Sequence, residues 1–232
     1  MTNREIDQIL ASRTSAVPTA DRVKAIENFI EADLKPVRPL APESLYLAFL
    51  AGVFVVACLA SFYFIPGVNG WKVLSNLQRP AVFAPLLLSA GVLAFFLVRQ
   101  MTPGAAHTRD TAAWGAGLLL LLAVLVAVLF RPQPESTFLA DNVTCFIGGM
   151  KFAIPAGVAT GLVLIRGAGL MPRLAGAAAG ALAGLAGLAV LEIHCPILNV
   201  YHIVVAHISV VLACSIGGFF LGGVTFSRRL PK

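Results

Sequence analysis

The chain has 232 residues, 58% of them hydrophobic and only 12% charged, against about a quarter charged in an ordinary soluble domain. Of the 28 Lys, Arg, Asp and Glu side chains, 13 precede position 44, so the remainder cannot cover a water-facing surface and a soluble globular fold is excluded. The net charge of +6 does not mark a nucleic-acid binder either. Residues 1–43 hold six basic and seven acidic groups, and the positive excess lies in short loops and at the C-terminus, where membrane topology accounts for it.

The first 43 residues carry two amphipathic patterns. Ile6, Ile9 and Leu10 follow helical spacing, and so do Val23, Ile26, Ile30 and Leu34, with charged residues between them. Pro18 separates the two patterns, and Pro36, Pro39 and Pro42 end the second and make a stiff linker. The second apolar stripe has no core of its own to enter, so burial by a partner is expected.

Six hydrophobic stretches follow, near 44–65, 81–100, 112–130, 143–165, 174–195 and 202–226. Each is long enough as a helix to cross about 30 Å of hydrocarbon. The expected fold is all-α: a six-helix transmembrane bundle over 44–226, a cytoplasmic helical segment over 1–43 and a basic tail over 227–232. Placing the N-terminus inside puts 13 of the 17 Lys and Arg on the cytoplasmic side, so both termini are expected there. The fifth stretch carries Gly176, Gly180 and Gly184 at four-residue spacing, and the sixth carries Gly217, Gly218, Gly222 and Gly223. Such spacing lets helix backbones approach closely in lipid, inside one bundle or as the seam of a homodimer.

Chemistry-bearing groups are scarce within the spans. No HExxH, Walker loop, GxSxG or carboxylate dyad is present, and neither an enzyme nor a resident cofactor is expected. The outer end of the last two spans differs. Glu192, His194, Cys195, His202 and His207 crowd into a short interval around Pro196. Cys145 joins them by counting: it and Cys195 lie about 25 residues to either side of the loop centred near 169.5, so in an antiparallel hairpin they stand level. They could form a disulfide if their Cα atoms approach within about 4.4–6.8 Å, or act as soft-metal thiolates. The metal set proposed from sequence is Cys145, Cys195, His194 and His202. Cys58 and Cys214, inside apolar spans, are expected to be packing residues. Three readings stay open on the residues alone: a regulator, a small metal-ion transporter or channel, and a scaffold subunit without a ligand.

The chain resembles the NrsF family of membrane anti-sigma factors. The resemblance rests on Ala32-Asp33-Leu34-Lys35-Pro36-Val37-Arg38-Pro39-Leu40, on His194-Cys195-Pro196, on the His202/His207 region and on the six-span layout. Family members often carry an acidic run after His-Cys-Pro, where Ile197-Leu198-Asn199 stand here. The resemblance implies a bacterial inner-membrane protein whose cytoplasmic segment, through Val23, Ile26, Ile30 and Leu34, holds an extracytoplasmic-function sigma factor away from RNA polymerase. It further implies that oxidative stress, or a heavy-metal ion bound transiently as signal, acts on Cys145 and Cys195 at the outer face and weakens that hold.

Overall fold

The computed structural model describes residues 20–33, 41–101, 108–133, 137–165 and 171–227. By internal contacts the chain divides into two units, 1–39 and 40–232. The first contains α1 (Ala20–Asp33), with Asp21 in its first turn, where a carboxylate favours the positive end of the helix dipole. Val23 and Phe29 stand exposed on α1. The side chains of Ile26 and Ile30, and all of Leu34, lie outside the described residues.

The second unit begins with α2 (Glu43–Phe64). It stops where Ile65 precedes Pro66, since a proline pushes the residue before it into extended backbone; Ile65 has φ −120° and ψ 112°. A short helix, α3 (Asn69–Val73), follows in the connecting loop. Then come α4 (Gln78–Met101), α5 (Thr108–Leu129), α6 (Phe138–Leu164) and α7 (Pro172–His194). The last helix is built in three parts: α8 (Val200–His202), a π-helical turn (Ile203–Ile208) and α9 (Ser209–Ser227).

Among the described residues, five helices are long and apolar enough to cross a membrane by length and composition alone. They are α2, α4, α6, α7 and the last helix from Val200 to Val224. The third expected span falls in α5, whose apolar part is Ala116–Leu129, only about 20 Å long at 1.5 Å per residue. The fourth begins earlier than hydropathy indicates. Asn142 Nδ2 and Thr144 Oγ1 donate to the Phe138 and Ala140 carbonyls, and Thr137 Oγ1 donates to Asp141, so polar residues still prolong α6.

Helix α7 is the axis of this unit. Its apolar window is 89% buried, against 17% for α2, so α7 lies inside the bundle and α2 on its rim. The Gly- and Ala-rich sequence explains the position, because a thin helix admits neighbours at close range on every side. The last helix takes the closest place. A Cβ on Gly180 would land on the Cys214 carbonyl, one on Gly176 on the Gly218 carbonyl, and one on Gly184 2.5 Å from the Val211 Cα. Of the two readings of Gly176, Gly180 and Gly184, close packing inside one bundle is the one the structure supports, and the homodimer seam is not. Those glycines are buried against α9 of the same chain and present no face to a second copy. Large apolar side chains such as Tyr63, Val128 and Leu139 instead point outward, as a lipid-facing surface requires.

Candidate thiol and imidazole site

The site forms where α7 ends. Pro196 forces Cys195 out of the helix, to φ −80° and ψ 120°, while its backbone N–H still caps the Leu191 carbonyl. Four residues later Asn199 starts the last helix, its Oδ1 accepting from the Tyr201 N–H at 3.1 Å. Asn199 Nδ2 also donates to the Gln133 carbonyl at 2.7 Å, tying this turn to the segment after α5. The turn is closed from the other side by the α2–α4 loop. A Cβ at Gly70 would lie 2.5 Å from the Glu192 carbonyl oxygen and 2.6 Å from that of Cys195. The loop reaches α7 because residue 70 is glycine.

Four potential ligand atoms converge behind this turn. Those of Cys145, Cys195, His202 and His207 all lie within 4.8 Å of one another. Cys145 Sγ stands 3.6 Å from Cys195 Sγ, and Cys195 Sγ stands 3.4 Å from His202 Nε2. All four cysteines carry free thiols. The π-helical turn is what assembles the histidines. In a regular α-helix, residues five apart point about 140° away from each other, whereas i→i+5 bonding returns them to one face. His202 and His207 accordingly meet edge to face, with ring centroids 5.2 Å apart.

Glu192 holds the far side of His207. Its Oε1 lies 2.8 Å from His207 Nδ1, and both side chains are buried. With Nδ1 engaged, His207 Nε2 remains buried with no hydrogen-bond partner, and so does His202 Nδ1.

The sequence-based set is only partly gathered here. Cys145, Cys195 and His202 come together, but His194 is turned away. Its Nε2 lies 2.9 Å from Ser61 Oγ, its Nδ1 meets the Gly67 carbonyl, and Phe62 packs edge-on against its ring. His194 is therefore a tie between α7 and α2, with both ring nitrogens in use. His207 takes its place in the cluster. Helical periodicity gave no signal for that, since spacing of five is wrong for one face of an α-helix; the lone carboxylate Glu192 in an apolar span was the available clue. Cys58 and Cys214 are half-buried elsewhere, the latter 3.8 Å from Met150 Sδ. A groove of about 890 Å³ runs between α2 and α6 along Phe49, Val53, Phe152 and Pro155, apart from the thiols. Its apolar walls suit lipid, and it supplies no chemistry beyond Lys151 at its edge.

A family model described as NrsF, negative regulator of sigma F, matches residues 31–227. No curated protein and no solved structure matches the chain.

Proposed function

The chain belongs to the NrsF family, negative regulators of sigma F, and from that premise we propose that it is an inner-membrane anti-sigma factor switched at Cys145 and Cys195. The N-terminal segment, with Val23, Ile26, Ile30 and Leu34, grips an extracytoplasmic-function sigma factor in the cytoplasm. Six spans, α5 included, carry the signal from the outer face, and both termini lie inside, in keeping with the distribution of Lys and Arg.

The observation that carries the switch is the 3.6 Å approach of two free thiols from different helical segments. Oxidation removes one proton and one electron from each thiol, reduces an external two-electron oxidant, and closes the sulfurs to a bond of about 2.05 Å. A soft metal ion bound transiently by the same thiolates draws them together without electron transfer. Either event shifts α6 against the α7 turn, and the sigma factor's hold on one conformation is the free energy that the signal must overcome.

A sigma-dependent transcriptional reporter tests this in cells. Cys145→Ser and Cys195→Ser are expected to repress normally and to stay repressed under oxidant. Ile26→Asp combined with Ile30→Asp is expected to lose repression while the protein still inserts. A normal oxidant response in both serine variants would end the thiol switch, and full repression by a well-expressed double aspartate variant would remove the apolar stripe from the grip.

A further inference from the structure

We infer that Cys145, Cys195, His202 and His207 form a four-coordinate site for a resident zinc-class divalent cation, with Glu192 as the residue that positions His207. This goes beyond a transient metal signal on two thiols. The site stands on its own geometry, and only its regulatory consequence rests on the switch proposed above.

Three independent features point to an ion. Two of the six ligand separations match a tetrahedron, and all six lie within 4.8 Å. With metal–sulfur bonds of about 2.3 Å and metal–nitrogen bonds of about 2.0–2.1 Å, tetrahedral ligands stand about 3.8 Å apart for two sulfurs and about 3.6 Å for sulfur and nitrogen. The observed separations are 3.6 Å and 3.4 Å. Next, a fully buried imidazole nitrogen without a partner is costly, and His207 Nε2 is one, on a residue 1% exposed. An ion there would satisfy it. Last, the Glu192 carboxylate on His207 Nδ1 is the outer-shell arrangement that fixes a ligating histidine's tautomer and leaves Nε2 to bind.

The donor set selects the ion. Two thiolates and two neutral imidazoles in tetrahedral array suit Zn²⁺, and suit Mg²⁺ or Ca²⁺ poorly. Each cysteine gives up its proton on binding, and the two thiolate charges cancel those of the cation. The ion would join α6, the turn after α7 and the π-helical turn. It would also occupy both thiolates, so their oxidation to a disulfide requires the ion to leave.

The test uses the full chain purified in detergent under reducing conditions, stripped with a chelator and titrated with Co²⁺. The expected result is one equivalent bound, intense tetrahedral d–d bands and a sulfur-to-cobalt charge-transfer band, all bleached by stoichiometric Zn²⁺. Cys145→Ser and Cys195→Ser should each weaken the charge-transfer band. Glu192→Gln should lower Co²⁺ affinity about 10- to 100-fold, the usual effect of removing an outer-shell partner, and His207→Ala should lower it further. Circular dichroism confirms that each variant is helical, and Zn²⁺ protection of the two thiols from alkylation provides a second readout on the unmutated protein. Weak octahedral bands, or unchanged affinity in folded Glu192→Gln and His207→Ala, would overturn the inference. Absence of any ion together with serine variants blind to oxidant removes the metal centre and leaves the switch. A tetrahedral ion in a protein whose serine variants respond normally does the reverse.

Discussion

The two ends of the pairing between α7 and the last helix are built on opposite principles. At the Gly176–Gly184 end, backbones touch so closely that no side chain fits between them. At the Cys195 end, Pro196 breaks α7, a turn intervenes, and the opened space is filled by sulfur, imidazole and one carboxylate. The same two helices are thus welded at one end and hold a polar cluster at the other. Such an arrangement favours movement at the reactive end, because backbone packed on backbone at a glycine seam offers no alternative rotamers.

Substitution at the seam should have the largest effect of any single change. Gly180→Val sets a branched side chain against the Cys214 carbonyl, and its relief requires the helices to part. The variant is expected to be almost absent from membranes, read by immunoblot of the membrane fraction. Wild-type levels would mean that the seam is loose and the contrast false. Next in size is Glu192→Ala, which leaves the buried His207 Nδ1 unpaired at a cost of about 1–3 kcal/mol. A lowered Tm of the metal-free protein in detergent should report it. An unchanged Tm would place Glu192 outside the framework of the cluster.

Asn199→Ala should cost less, about 1 kcal/mol for a lost helix cap, even though the tie to the Gln133 carbonyl goes with it. Its sharper signature would be faster thiol alkylation of Cys195, as the turn over the cluster loosens. The smallest effect is expected from Cys214→Ser and Cys58→Ser. Both sit outside the four-residue cluster, and both should leave the unfolding free energy within about 0.5 kcal/mol of wild type and the oxidant response unaltered. A lost response in either would move the sensing chemistry away from the turn.

Much of the framework was legible in the sequence, for physical reasons. A span must be about 20 apolar residues long, so hydropathy announced the five long apolar helices with ends displaced by a few residues, but it also gave a sixth span at 112–130, where the apolar part of α5 is only Ala116–Leu129. Counting outward from the hairpin loop set Cys145 and Cys195 at one height, and their sulfurs stand 3.6 Å apart. Rotation about the helix axes was not legible. Local pattern could not tell that His194 turns toward Ser61 and Gly67. Nor could it show that a π-helical turn swings His207 onto the face of His202, since one inserted residue in a helix leaves no mark on composition. The glycine spacing announced a close approach, while its partner, α9 instead of a second chain, depended on tertiary packing.

Co-purification of the sigma factor with the full-length protein in detergent, before and after a thiol oxidant, tests the account's central claim most directly. The account predicts that the sigma factor co-elutes with the reduced wild-type protein, leaves it on oxidation and returns on reduction. It also predicts that the sigma factor stays bound to Cys145→Ser and Cys195→Ser throughout. Equal release from the wild type and from both serine variants, or no release from any, would contradict it.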